Sequence, residues 1–138
     1  AESHLAPFLE LYSASTPDQF DFGYRAMETI LQKTVLPGAV FALTDVAAVG
    51  VMHAVARHGL SIPRDLSVLG FDNIPLSAFV LPELTTVEQP IREMGIRASE
   101  LLLDIMQRRE HRPQTVMLNT RVIVRQSTTA PRMREARR

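Results

Sequence analysis

Two hydrophobic patterns alternate along the chain. Short apolar runs predict buried strands, and stretches with an apolar residue every three or four positions predict amphipathic helices. The clearest run, Leu66 to Phe71, has almost no polar alternation, which is typical of a strand buried on both faces of a parallel sheet. Asp72 and Asn73 follow this run directly. We therefore expect two polar side chains at the end of a central strand.

The remaining runs and periodic stretches predict an alternating order of elements. The predicted strands are Pro7–Tyr12, Ala39–Leu43 and Leu84–Glu88, and the predicted helices are Phe22–Gln32, Val46–His58 and Ile91–Arg109. A helical turn or loop is predicted for Ile74–Leu81, and extended chain for Val116–Leu118 and Arg121–Gln126. This alternation predicts a three-layer α/β fold around a parallel sheet, with right-handed crossovers.

Composition narrows the classes of function. The 138 residues include 15 basic and 15 acidic side chains, so the zero net charge gives no overall attraction to nucleic acid or to an anionic membrane. The chain has no cysteine, and no apolar run approaches the roughly 20 residues of a membrane helix. We expect a soluble protein of the cytoplasm. The basic tail 131–138 is expected to be disordered.

Polar residues follow the predicted strands, at positions where small ligands bind in parallel sheets. Carboxylates and amides at one sheet edge suit the hydroxyls of a sugar or nucleoside, because they accept and donate hydrogen bonds. The pairs concerned are Tyr12-Ser13, Thr44-Asp45, Asp72-Asn73 and Glu88-Gln89. The sequence therefore predicts a polar binding crevice along this edge.

Each of these positions also has a purely structural interpretation. Thr44 or Asp45 can cap the following helix, Asp72 can cap the turn at Ile74, and Gln89 can be a surface amide. The chain contains no glycine-rich phosphate loop, no G-x-S-x-G elbow and no H-E-x-x-H pair. We therefore expect a binding protein that is not an enzyme and needs no cofactor or metal.

Three segments together resemble the lactose-repressor (LacI/GalR) family of bacterial transcription regulators. They are IPRDLSVLGFDN, LTTVEQP and the later VRQST, and the resemblance extends from Phe20 to Ala130. It implies the flavodoxin-like half of a periplasmic-binding-protein-like type I fold, with residues 1–130 as the carboxy-terminal effector-binding subdomain. The other subdomain and a helix-turn-helix headpiece, which binds the operator, would lie outside this sequence.

The resemblance also implies effector-binding residues, position by position. Asp72 matches the family's effector-binding aspartate, with Phe71 beside it, and Gln89 matches a position that contacts the effector in some members. Thr44 stands where the family usually has asparagine. Asp18 falls, by gapless spacing from Gly23, where the family has an aromatic residue, although a shifted turn could bring Phe20 or Tyr12 there instead. These departures bear on the class of effector.

The implied function is effector sensing and dimerisation in a transcription regulator, with operator binding left to the separate headpiece. The alternative is a periplasmic sugar-binding protein for transport, which shares the architecture. The helix Ile91–Arg109 would pack on the other subdomain. Because that subdomain lies outside this sequence, we expect effector binding to be weak or lost, and we expect copies of the chain to associate with each other. The expected contacts between copies are either this helix or the family's dimer surface, which includes Val49, His53, Ala78, Val80 and Leu81.

Overall fold

The computed structural model describes residues 18–107 and 114–130. The helices are α1 (Gln19–Leu31), α2 (Asp45–Arg57) and α3 (Ile91–Gln107), with a single 3-10 turn at Pro75–Ala78, and the strands are β1 (Ala39–Phe41), β2 (Ser67–Asp72), β3 (Thr85–Glu88) and β4 (Arg121–Ile123). All three predicted helices are therefore present. The predicted strand Pro7–Tyr12 and the tail 131–138 lie outside the described residues.

The four strands form one sheet in the order β1-β2-β3-β4. The first three are parallel, with Phe41 opposite Leu69 and Asp72 opposite Glu88. β4 runs antiparallel to β3 and is shorter than the predicted extended segment, while Val116–Leu118 joins no strand. The predicted α/β fold class, with a mainly parallel sheet, is confirmed.

The core lies between α2 and the sheet. Val68 and Leu84 are fully buried on the strand side, and Ala48 and Val55 are fully buried on α2. Met27 of α1, also fully buried, packs into the same cluster. Burying a side chain of this kind stabilises the fold by about 1.5–3 kcal/mol. This core fixes the position of α2 against β2 and β3, where the polar residues lie.

α1 and α2 approach so closely that their backbones touch. A Cβ atom built on Gly23 would lie 2.0 Å from the carbonyl oxygen of Ala47, and one on Gly50 would lie 2.2 Å from that of Phe20. Real Cβ atoms do not come this near to backbone oxygens, so both positions require glycine. The two glycines therefore set the distance between the helices.

α3 differs from the other helices because none of its residues is buried. Its apolar stripe includes Met94, Leu102 and Ile105, which are 45%, 57% and 39% exposed. An amphipathic helix with an uncovered apolar stripe is unusual in a stable domain, since that face normally packs on another element. Among the described residues, no helix is long and apolar enough to cross a membrane.

The close helix contact predicts opposite effects for two Gly→Ala substitutions. Gly50→Ala places a methyl group against the Phe20 backbone, so we expect the free energy of unfolding to fall by about 1–3 kcal/mol. Gly95→Ala in α3 meets nothing within 4 Å, so the higher helix propensity of alanine should stabilise α3 by about 0.5–1 kcal/mol.

Urea unfolding followed by circular dichroism measures both changes. Gly95→Ala serves as the matched control, because it makes the same chemical change on an open helix face. A Gly50→Ala protein as stable as the wild type would contradict the close backbone contact.

Candidate functional site

The carboxyl ends of β2 and β3 bring two of the predicted ligand residues together. Asp72 is the last residue of β2 and lies opposite Glu88. Gln89, the next residue, donates from Nε2 to Asp72 Oδ1 at 2.5 Å. Both side chains are half-buried. The structure therefore places a carboxylate and an amide side by side at the sheet edge.

The backbone leaves β2 in an uncommon conformation. Asp72 has φ = 118° and Asn73 has φ = 57°. Asparagine adopts the left-handed region more readily than most residues, whereas φ = 118° is strained for any residue with a Cβ. Such strain persists only where neighbouring groups hold it, and it concentrates at ligand sites.

The Asn73 side chain is bonded to the protein on both sides. Its Oδ1 accepts from Arg125 Nη2 at 2.8 Å, and its Nδ2 donates to Glu88 Oε1 at 2.9 Å. Arg125 also donates from Nη1 to Ser77 Oγ at 3.0 Å and to the Leu84 carbonyl at 2.7 Å. Asn73 therefore stabilises the turn, whereas the neighbouring Asp72 is the carboxylate at the polar edge of the sheet.

Glu88 extends this network to β4. Its other oxygen accepts from Arg121 Nε across the antiparallel pair. The hydrogen bond from Arg121, followed by the one from Asn73, lowers the pKa of Glu88 below its ordinary value of 4.5. The carboxylate is therefore held in its charged form as a bridge between the turn and β4.

Thr44 and Asp45 divide the roles that the sequence left open. Thr44 is the N-cap of α2, and its Oγ1 accepts from the Ala47 amide at 3.1 Å. The capping interpretation is thus confirmed for Thr44, which remains half-buried. Asp45 is instead fully buried and bonded to Thr86 and Ile74. The sequence pattern predicted either a ligand contact or a helix cap at Asp45, whereas its side chain bonds inward to β3 and to the turn.

Two other predicted ligand residues have different neighbours. Asp18 is exposed and caps α1, where its Oδ1 accepts from the Phe20 amide at 2.9 Å. Phe71 is half-buried on the sheet, and its ring meets the ring of Phe41 edge-on at 6.4 Å between centroids. Neither contact involves the Asp72–Gln89 pair, so their roles in binding stay predictions.

The residues of the predicted dimer surface lie on α2 and around the 3-10 turn. Leu81 is 89% exposed, and Ala78 and His53 are also exposed. The His53 ring lies between two aromatic rings of α1, with centroids 5.8 Å from Phe20 and 5.6 Å from Tyr24. Val49 and Val80 are half-buried.

The sequence pattern predicted Asn73 only as a polar residue at the sheet edge, and it gave no role to Arg125. For Arg125 the available signal is the segment VRQST, which the family resemblance singles out. In the structure its arginine reaches the turn after β2, and its Ser127 Oγ is bonded to β2 and β3 through the Val68 carbonyl and the Thr85 amide.

A shallow open groove begins beside Gln89 and continues along the start of α3 as far as Ile96. Within the described ranges, no cluster of histidine, aspartate and glutamate could hold a metal ion.

Comparison with known families identifies this arrangement. A model described as the periplasmic binding protein-like domain matches residues 1–128. The chain belongs to this family. Its relatives include the HTH-type transcriptional repressor PurR of Escherichia fergusonii, 39% identical over 84% of this chain and 34% of that protein. They also include CytR of Escherichia coli, 41% identical over 86% of this chain and 35% of that protein. The resemblance to the LacI/GalR regulators is confirmed.

Solved structures of LacI-type regulators have a similar fold. A LacI family regulator from Enterococcus faecium, with bound ribose, is 37% identical and covers 79% of this chain and 40% of that one, with a TM-score of 0.70. The CelR–cellobiose complex is 30% identical over 78% of this chain and 33% of that one, with a TM-score of 0.74. The chain spans about a third of the length of the curated relatives it matches.

The lowered pKa of Glu88 predicts a pH-dependent contribution to stability. A carboxyl group whose pKa is lower in the folded state stabilises the protein above its unfolded pKa, and this contribution is lost as the pH falls through the folded value. We expect Glu88→Gln to be less stable than the wild type at neutral pH, with a difference that shrinks below about pH 4.5.

Urea unfolding at several pH values measures this difference. Arg121→Gln removes the same ion pair from the other side, so its difference from the wild type should follow the same course with pH. A Glu88→Gln difference that stays constant down to pH 3 would show that the bridge to Arg121 does not form.

Proposed function

We propose that this chain is the effector-binding and dimerising part of a bacterial transcription regulator, and that its effector is a small polar molecule of the sugar or nucleoside type. The pairing of Asp72 with Gln89 at the carboxyl edge of a parallel sheet carries this proposal. Ligands bind at this edge in open α/β sheets. The strained backbone at Asp72 supports the same location.

The chemistry of the pair suits neighbouring hydroxyl groups. Asp72 Oδ1 accepts from Gln89 Nε2, which leaves Asp72 Oδ2 and Gln89 Oε1 as acceptors for ligand hydroxyls. A hydrogen bond to a charged carboxylate is stronger than one between neutral groups. Thr44, Phe71 and Asp18 are proposed as further contacts at the same edge. Bound ribose and cellobiose in related regulators support a sugar-like effector.

The relatives favour a regulator over the periplasmic transport alternative. PurR and CytR are named as HTH-type transcriptional repressors, and Catabolite control protein A of Priestia megaterium is another relative, 38% identical over 88% of this chain. We therefore propose a cytoplasmic, non-catalytic protein that acts on operator DNA through a separate headpiece. Effector binding would shift the population of subdomain arrangements and hence operator affinity.

The proposal predicts weak but localised ligand binding by the 138-residue chain. Ribose, cellobiose and adenosine, titrated into isotope-labelled protein up to tens of millimolar, should shift the backbone amide resonances of Asp72, Asn73 and Gln89. We expect at least one of the three to do so, with a dissociation constant on the order of millimolar, because this edge forms only one wall of the crevice. Asp72→Asn should weaken that binding by about tenfold.

Glu100→Gln is the matched control, because it removes one carboxylate charge from an exposed i,i+3 ion pair of α3. It should leave the titration unchanged. Shifts that are absent for every compound, or that persist undiminished in Asp72→Asn, would count against the site. Micromolar affinity in the isolated chain would contradict the expectation that a second wall is needed.

We also propose that copies of this chain associate through the predicted dimer surface. Phe79 and Leu81, two positions apart just after the 3-10 turn, are 80% and 89% exposed. Apolar side chains grouped in this way are typical of association surfaces, since their burial removes apolar area from water. PurR and CytR are named HTH-type repressors, and helix-turn-helix proteins commonly bind two half-sites as dimers, which supports association between copies.

Sedimentation across a concentration series tests the association. We expect a dimer at high micromolar concentration, and Leu81→Glu should shift it to monomer because a charge would be buried at the contact. Met106→Glu, which is a similar change at a 73% exposed position of α3, is the control. Dissociation by Met106→Glu alone would move the contact to α3, and a strict monomer in the wild type would exclude both surfaces.

A further inference from the structure

Asp45 is a fully buried carboxylate that the proposed binding chemistry does not use. One oxygen, Oδ1, accepts from the Thr86 hydroxyl at 2.5 Å, and Oδ2 accepts from the Ile74 amide at 2.9 Å. Placing a carboxylate in a protein interior is unfavourable unless hydrogen bonds replace its hydration. Here both oxygens have such a partner.

These two partners come from different parts of the ligand edge. Asp45 is the first residue of α2, where the N-terminal end of the helix favours a negative charge. Thr86 lies on β3 opposite Gly70 of β2, and Ile74 follows the Asp72–Asn73 turn. A single side chain therefore joins the start of α2, the neighbouring strand and the end of the turn.

On β2, a glycine leaves room for the Asp45 carboxylate. A Cβ atom built on Gly70 would lie 2.3 Å from Asp45 Oδ1 and 2.9 Å from Leu84 Cδ2. Any side chain at this position would therefore displace the carboxylate from its place. Glycine in the middle of β2, two residues before Asp72, leaves the space that Asp45 occupies.

The bond to Ile74 bears directly on the conformation of Asp72. The backbone at Asp72 and Asn73 has φ values of 118° and 57°, which require outside contacts to persist. Asn73 is held by its own side chain, through Glu88 and Arg125. On the other side of the turn, the Ile74 amide is held by Asp45. Without that contact, the amide would be free to turn away and let the strained residues relax.

We propose that Asp45 is a positioning residue: through Thr86 and the Ile74 amide, its buried carboxylate holds the strained turn that presents Asp72 to the ligand. Asp45 does not itself touch the ligand. The inference rests on the proposed function only for its effect on ligand affinity. Its effect on the turn is independent of any ligand.

Asp45→Ala and Asp45→Asn separate a positioning role from general packing. Asp45→Ala removes both acceptors, so hydrogen exchange of the Ile74 amide should quicken by about tenfold more than that of the core amides of β2. Asp45→Asn can still accept from Ile74 with its carbonyl oxygen while donating to the Thr86 hydroxyl. It should therefore restore most of the protection.

Ligand affinity provides the second readout. For any compound that binds the wild type, Asp45→Ala should raise the dissociation constant by about tenfold, with Asp45→Asn in between. Val55→Ala is the matched control, because it opens a cavity in the buried face of α2 away from the turn. It should lower global stability and leave both the Ile74 protection relative to the core and the affinity unchanged.

Equal effects of Asp45→Ala and Val55→Ala on both readouts would overturn the proposal, as would unchanged Ile74 exchange in Asp45→Ala. If Asp45→Ala does not fold, Thr86→Val removes one donor while keeping the branched shape. It should quicken Ile74 exchange in the same direction, and an unchanged rate would count against the role. If no compound binds the wild type, the proposed effector site is wrong. The hydrogen-exchange experiment still tests whether Asp45 holds the Ile74 amide.

Discussion

The turn at Asp72 and Asn73 keeps its strained backbone because separate elements bond to it from several sides. Asp45 of α2 accepts from the Ile74 backbone amide, and Glu88 of β3 accepts from Asn73 Nδ2. Arg125, in the chain after β4, donates to Asn73 Oδ1. Contacts of this kind cost entropy to assemble and are retained where a fixed geometry matters. In this chain they fix the direction of one carboxylate at the edge of the sheet.

The same turn is connected to both ends of the segment that contains α3. The chain leaves the sheet after Glu88, and the next residue, Gln89, donates to Asp72. It re-enters the sheet at Arg121, which donates to Glu88, and Arg125 just beyond β4 donates to Asn73. A rotation of that segment relative to the sheet would therefore alter the hydrogen bond from Gln89 to Asp72, the carboxylate proposed to bind the ligand. Under the proposed function, these bonds would connect ligand binding to the orientation of that segment, and so to a population shift.

Local patterns in the sequence predicted most of the fold. The apolar periodicity placed α2 within one residue at each end, and the polar residue before it proved to be its N-cap, because these features depend on neighbours along the chain. The Asp72–Gln89 pair was also anticipated, since parallel strands end at a common edge. The inward contact of Asp45 was not, because it joins residues 29 and 41 positions apart. The same holds for Arg125, which reaches Asn73 across 52 positions.

Two groups of exposed apolar residues, one on α3 and one after the 3-10 turn, have different physical origins. Those of α3 follow the helical period, so they form a continuous stripe of the kind that packs on another element of the same fold. Phe79 and Leu81 lie instead on a short loop stabilised by the bond of Leu84 to Ser77, where no helical period requires an apolar residue. Because these two positions could be polar without loss to the core, large apolar side chains there are better explained by contact with another molecule. This distinction favours the loop over α3 as the surface between copies of the chain.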